Sequence, residues 1–591
     1  MSLRVPWSRS WSDTGRHMKT EISGQSRRRI FKMATSNTDQ ISSTDDFISF
    51  LQRSCVHDLT QPLSVFTPPW PHDHALEIHF FKRLTGAYGG GQGANGQVLK
   101  WSGTTGTHLA TEAIFHSAGR RVADIPSTQL GGPGVIVDIS DCVTDYGIYT
   151  PEMIEERAQV KPGDVLVIHT GYSRFSWEKP ESSEFGFLVR HPGPSLSFFR
   201  WVMEKELKWV GVDCGSFEHP MNTPIRFFHA GEYEKARAAT INSLGTSWDQ
   251  LFPMDEYYQT VHVELARCGT VFVESLGGVL PQLGTRRAWI TADAIPMAET
   301  ETAWARVLAY EPPTDVSLDD FLALMSRVRR HDLTSPLSVH TPQWLNYKPL
   351  SISNHKRVNA QEFGIGRNGS ICEASIHLGT HMDGEVHFHS AGRAIGKMPL
   401  DYWYGPGVIA DLSDVVSDLS VYTPSMIEER VDLRDGDILI IKTGYCRYGW
   451  GSADSDEFRY MIRHPGPSPD FGDWCKRRKI RWIGVDTVAA DHPMNTIVRN
   501  WHPTTFAEAD RKLRDQLGGS WDELYPIDHY YQDMHLNMFP FGIVHAENLA
   551  GELLSLPGGR YFIGASIPPA VEAETMWGRF FAWALTPVEG K

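Results

Sequence analysis

Cysteine is scarce and follows no ligand or disulfide pattern: the 591 residues hold seven, at positions 55, 142, 214, 268, 372, 446 and 475, with no CxxC spacing. An odd, scattered set excludes a disulfide framework and a thiolate zinc module as organising devices. No apolar run is long enough to span a bilayer, and the N-terminus lacks the apolar core of a secretory signal, so neither a membrane partner nor export is expected. Positive charge is in deficit as well. A net charge of -15 repels phosphate backbones and anionic lipid, which argues against nucleic acid as the main partner. There is no GxSxG elbow and no distinctive cysteine context, so Ser-His-Asp and Cys-His nucleophile chemistry has no support.

What is present is the composition of a folded globular protein, 41% hydrophobic and 21% charged, expected in the cytoplasm. The first 45 residues stand apart. Up to about Lys32 they are rich in Ser and Arg and poor in acids, ending in Arg27-Arg28-Arg29. That reads as a disordered tail, as an extension ahead of a start at Met33, or as a transit peptide, which would place the protein in mitochondria.

The chain repeats itself. Tyr149-Thr150-Pro151-x-Met153-Ile154-Glu155-Glu156-Arg157 recurs 273 residues later as Tyr422-Thr423-Pro424-x-Met426-Ile427-Glu428-Glu429-Arg430. The same offset joins Arg190-His191-Pro192-Gly193-Pro194 to 463–467, His219-Pro220-Met221-Asn222-Thr223 to 492–496, and Ser247-Trp248-Asp249 to 520–522. A period this long marks a duplicated domain rather than a solenoid. The expected organisation is a tail over 1–45, repeat one over 46–310, a proline-stiffened linker over 311–318 and repeat two over 319–591. Each copy has short β-branched runs, 165–171 and 209–213 in the first and 438–444 and 482–486 in the second, that read as buried strands. Ala507 to Leu517 reads as a solvent-facing helix, so the fold class is α/β with a mixed sheet.

The chemistry concentrates in Ser375-Ile376-His377-Leu378-Gly379-Thr380-His381-Met382-Asp383-Gly384-Glu385-Val386-His387-Phe388-His389. As an extended run it would put His377, His381, Asp383, Glu385, His387 and His389 on one face and Ile376, Leu378, Met382, Val386 and Phe388 on the other. So many imidazole and carboxylate groups on one short face are costly to bury without a cation, which points to a divalent metal.

These residues resemble the signature HxGTHxDxxxH of a cyclase family that includes bacterial kynurenine formamidases and isatin hydrolases, here His377, Gly379, Thr380, His381, Asp383 and His387. The family also carries a late His and an acid twelve residues on, matched by His535 and Glu547. Glu385 departs from the family, which usually has proline there; the departure adds a charge to the site or tightens discrimination among substrates. The resemblance implies a swivelling β/β/α domain in each repeat, and a metal held by His377, His381, Asp383, His535 and Glu547, with His387 a ligand or the general base. Zn2+, or Mn2+ as in some relatives, suits nitrogen and carboxylate ligands without thiolate. The implied reaction is hydrolysis of an amide, lactam or lactone in a small aromatic or secondary-metabolite substrate. The alternatives are metal-assisted cyclisation, dehydration or isomerisation, and a non-catalytic scaffold. His387, His502 and Glu385 are the candidates for acid-base work, with His502 assisting proton transfer or satisfying a backbone carbonyl.

Repeat one keeps His108, His116, His229, His262 and Glu274 at the matching positions but has Thr104, Ala110 and Ile114 in place of His377, Asp383 and His387. It is expected not to bind metal in the family manner, although His108, His262 and Glu274 would in principle make a three-ligand site. Family members form oligomers whose subunits shape one another's pockets, so the duplication is expected to act as an intramolecular pseudo-dimer with one live site, open to further homo-oligomerisation. GxGxxG runs at Gly91-Gly93-Gly96 and Gly364-Gly366-Gly369 lack the strand and helix of a dinucleotide site and read as loops near the centre. Trp344, Tyr347 and Trp501 are candidate walls of an aromatic substrate pocket.

Overall fold

The runs Val165–His169 and Ile438–Lys442 are buried at every residue, the mark of a parallel strand covered on both faces. In the computed structural model, which describes residues 41, 43–84, 93–253, 259–358, 366–526 and 531–585, each lies at the centre of a mixed sheet. The proposed tail up to residue 40 lies outside the described residues, as do Gly91 and Gly364 of the two GxGxxG runs. All described residues fall within one compact unit, Asn37–Lys591.

The repeat-one sheet runs Cys55–Asp58, Thr302–Glu311, Arg286–Ala294, Gly131–Asp138, Val165–His169, Trp209–Val212, Val271–Glu274, His108–Ala110. Thr302–Glu311 also pairs with His108–Ala110, closing seven strands into a ring. The repeat-two sheet follows the same order with nine strands, because the counterpart of Thr302–Glu311 is broken at Gly578 into Thr575–Trp577 and Arg579–Leu585. In both, four neighbouring strands are parallel and the rest antiparallel. Helices such as Leu196–Glu204 and Thr260–Arg267 cover the outer face, and the expected helix near Ala507 is observed as Pro503–Leu517. The class is mixed α/β, as the sequence predicts.

The two repeats are interlocked. Ser351–Lys356, Gly369–Ser375, Gly96–Ser102 and Glu77–Lys82 form one four-stranded sheet whose central pair crosses between repeats, with Glu373 opposite Lys100. Beneath it a continuous apolar core spans both copies. Trp101 of repeat one packs on Trp304 of its own repeat, ring centroids 5.0 Å apart, and on Trp577 of the other at 5.2 Å. Beside the shared sheet each hairpin donates into the opposite repeat. The Asn95 N–H and side-chain amide bond the carbonyls of His387 and Val386, and Asn368 does the same to Ile114 and Ala113.

Candidate metal centre

One expectation about local structure is corrected. Residues 375–389 are not a single extended run: the strand Gly369–Ser375 ends, Gly379 turns the chain at φ +60, only His381–Asp383 is extended, and Glu385–His387 is a single 3-10 turn. Glycine is required at 379 because of its positive φ and because a Cβ there would meet Leu337 Cδ1 at 2.9 Å. The turns converge His377, His381, Asp383 and His387 on one point from several directions, and strand alternation is not what gathers them.

Around that point the buried donor atoms face one another at 3.4–3.6 Å. His381 Nε2 lies 3.6 Å from Asp383 Oδ1 and 3.6 Å from Glu547 Oε2, and His535 Nε2 lies 3.5 Å from Asp383 Oδ2 and 3.4 Å from Glu547 Oε1. His377 Nδ1 is 3.4 Å from Asp383 Oδ1. Ligands about 2.1 Å from a common tetrahedral ion stand about 3.4 Å apart, so these separations suit a shared cation. His381 Nε2 and Asp383 Oδ2 are buried without a hydrogen-bond partner among the described residues, a costly condition that a divalent ion relieves. The groups of close-set donors among the described residues, Asp383/His535/His545/Glu547 and His377/Asp383/His387, both belong to repeat two. The donor set fits a divalent metal.

Three residues of this centre escape the sequence reading. His545, fully buried with neither ring nitrogen bonded among the described residues, stands beside Asp383, His535 and Glu547. Burial lowers its pKa well below the usual value, with the neighbouring His535 charge acting in the same direction, which favours the neutral ring a metal ligand requires. Asp491 accepts from His535 Nδ1 at 2.6 Å, fixing which nitrogen faces the centre. Glu574 holds His377 Nε2 at 3.1 Å and His387 Nδ1 at 2.8 Å, and itself accepts the backbone N–H of Gln97 from repeat one at 3.1 Å. Burial opposes ionisation of Glu574, but the charges and hydrogen bonds of His377 and His387 bring its pKa down to about 2. For His535, burial disfavours the charged ring, yet the surrounding carboxylates of Asp383, Asp491 and Glu547 raise its pKa well above the ordinary value. Burial and the adjacent His377 lower that of His387.

The other candidates are dispersed. The Glu385 carboxylate is engaged by the Arg393 side chain and backbone N–H and does not line the cavity. His502 lies between the helices Val498–Trp501 and Pro503–Leu517 against Phe458, ring centroids 5.6 Å apart, and is likewise away from the centre. His389 is half-buried beside the cluster without lining the cavity, and Trp501 is 44% exposed. Trp344 and Tyr347 do line it, together with Phe388 and, from repeat one, Lys82 and Ala94. The cavity, partly open to solvent, spans about 480 Å3.

In repeat one the retained residues close on themselves. Glu274 Oε1 accepts from His262 Nε2 at 3.0 Å and the Phe217 N–H at 2.6 Å, while Oε2 lies 3.1 Å from His108 Nε2. Glu274 stands 3.0–3.1 Å from both histidines, closer than the 3.4–3.6 Å separations in repeat two, although His108 Nε2, like His381 Nε2, makes no hydrogen bond among the described residues. The position of His545 is taken by Phe272, buried in the apolar core.

A family model described as "Putative cyclase" matches residues 57–219 and 331–492, more than half the chain and once in each repeat. The chain belongs to this family, in tandem. A kynurenine formamidase of Geobacillus thermodenitrificans (strain NG80-2) is 27% identical over 164 residues, covering 27% of this chain and 69% of the relative. Among solved structures, isatin hydrolase A from Labrenzia aggregata bound to benzyl benzoate shares 18% identity over 46% of this chain and the whole of its own, with a TM-score of 0.36. Isatin hydrolase A from Ralstonia solanacearum shares 19% over 45% of this chain and 97% of its own, with a TM-score of 0.35.

Proposed function

We propose that the protein is a metal-dependent hydrolase that opens an amide, lactam or lactone bond in a small aromatic substrate, and that repeat two alone carries the chemistry. The observation behind this reading is the cluster of unpartnered donors, His381 Nε2 and Asp383 Oδ2, at a cavity walled by Trp344, Tyr347 and Phe388. His377, His381, Asp383, His535 and Glu547 would hold the ion, with His545 in reach as a further ligand, and a nitrogen-oxygen set of this kind suits zinc or manganese. The ion, when bound, supplies Lewis acidity toward the substrate carbonyl and toward water.

The remaining work falls to the chain. His387 is anchored through Nδ1 by the Asn95 carbonyl at 2.7 Å and by Glu574, so Nε2 is its remaining nitrogen, and the lowered pKa leaves the ring neutral and able to accept a proton from water. Glu574 positions His387 and His377 together and stabilises positive charge on either ring. The Trp344 and Tyr347 rings provide the flat apolar wall that an aromatic amide needs, and Lys82 from repeat one extends that wall, its Nζ donating to the Tyr347 hydroxyl at 3.3 Å. The pseudo-dimer is thus a working arrangement, with each repeat completing the other's pocket.

Turnover of aryl formamides and of isatin in oxygen-18 water tests the assignment. One labelled oxygen in the carboxylate product is expected. Ring closure or isomerisation without label would replace hydrolysis by the cyclase chemistry that the family's name suggests.

A further inference from the structure

Repeat one lost its metal ligands but not its cavity. Thr104, Ala110, Ile114 and Phe272 stand where repeat two has His377, Asp383, His387 and His545, yet a cleft of about 380 Å3, partly open to solvent, remains there. One position on its wall changed the other way: where the live site has Ala94, the repeat-one cavity has Arg367, which pairs with Asp73 at the position of Tyr347. Arg367 reaches it from the repeat-two hairpin, as Ala94 reaches the live site from repeat one.

The ion network around Arg367 carries surplus positive charge. Asp73 is fully buried and accepts from Arg367 Nη2 and Lys356 Nζ, each at 2.5 Å, from Thr104 Oγ1 at 2.5 Å and from His355 Nε2 at 3.1 Å. Two permanent cations therefore share one carboxylate. Arg367 is only 9% exposed, and its Nη1 is buried without a hydrogen-bond partner among the described residues. The acid on the cavity floor, Glu274, is engaged by His262 and the Phe217 N–H, and Glu218 behind it accepts from the His262 N–H and Asn222. A second cavity of about 690 Å3, walled by Ile225 and Phe228, shares Trp70 and Arg367 with the first.

We propose that the degenerate repeat-one cavity is a second small-molecule site that binds an aromatic carboxylate, with Arg367 as its anion-binding group. The planar guanidinium pairs with a carboxylate through two parallel hydrogen bonds, a match that a compact anion without a flat body does not exploit beside apolar walls. The aromatic body would lie against Trp70, Ile114 and Phe115. In this copy a fixed guanidinium has replaced the divalent ion as the cavity's positive charge, converting a centre that acts on a carbonyl into one that holds a carboxylate.

Calorimetric titration of the full chain with benzoate tests this, carried out in a His381→Ala background so that the repeat-two centre does not compete. One benzoate per chain is expected to bind. Arg367→Met should weaken it about tenfold or more, and Ile114→Trp, which fills the cavity from the opposite wall without touching the ion network, should abolish it. Benzyl alcohol, which has the ring but not the charge, should not compete. Absence of benzoate binding in the His381→Ala chain, or unchanged affinity in either cavity variant, would overturn the proposal.

Discussion

His381 and His108 each begin a three-residue strand after a glycine with positive φ, and each bonds that glycine's carbonyl through Nδ1. What separates them is the company at Nε2. His108 meets a Glu274 that is already held by His262, whereas His381 faces Asp383 and Glu547 across gaps that suit an ion. Single substitutions should follow this difference. Asp491→Asn removes the carboxylate that orients His535 and is expected to lower metal affinity about 10–100-fold, measured by competition with a chelator. His545→Phe, which copies Phe272, should fold normally and bind metal at least about tenfold more weakly if the imidazole is a ligand; unchanged affinity would remove it from the set. Glu574→Gln removes the carboxylate that orients both His377 and His387, and is expected to lower metal affinity about 10–100-fold and, at saturating metal, to lower kcat about 10–100-fold with the acid limb of the kcat profile displaced.

At the scale of elements, the Asp73 network ties the repeat-two hairpin to repeat one. Although burial opposes its ionisation, Arg367, His355 and Lys356 hold the Asp73 carboxyl far below the usual range. A depressed pKa in the folded state means that the stabilisation is fully present above the unfolded value of about 3.9 and is lost as pH falls below it. Asp73→Asn strands two buried cations and should cost about 3–5 kcal/mol near neutral pH. The gap between wild type and variant in denaturant midpoint should narrow steadily as the pH is taken below 4; a gap independent of pH would contradict the assignment. The elements also show where sequence reasoning reaches its limit. The central strands were legible because apolar β-branched runs bounded by turns have few other uses, and His377, His381, Asp383, His535 and Glu547 were singled out through the family resemblance. Their convergence was not, because it depends on the Gly379 turn and on the 3-10 turn after Asp383. Glu385 looked like part of the face only under strand alternation, and the turn delivers it to Arg393 instead. Glu574, Asp491 and His545 belong to no motif. Comparing the repeats gives the only signal for them: acids recur at Glu301 and Glu218, and His545 gives way to Phe272.

At the scale of the whole molecule, the two copies share a sheet, a core and each other's cavity walls, so neither is an independent lobe. No helix among the described residues is long and apolar enough to cross a membrane. The duplication preserves a frame in which one half keeps donor atoms apart for an ion and the other has closed them onto a carboxylate. Metal analysis of purified wild-type, His381→Ala and His108→Ala chains tests that asymmetry most directly. Stoichiometric metal should persist in His108→Ala and be lost from His381→Ala, whereas equal loss from both variants would contradict the assignment of the metal centre to repeat two alone.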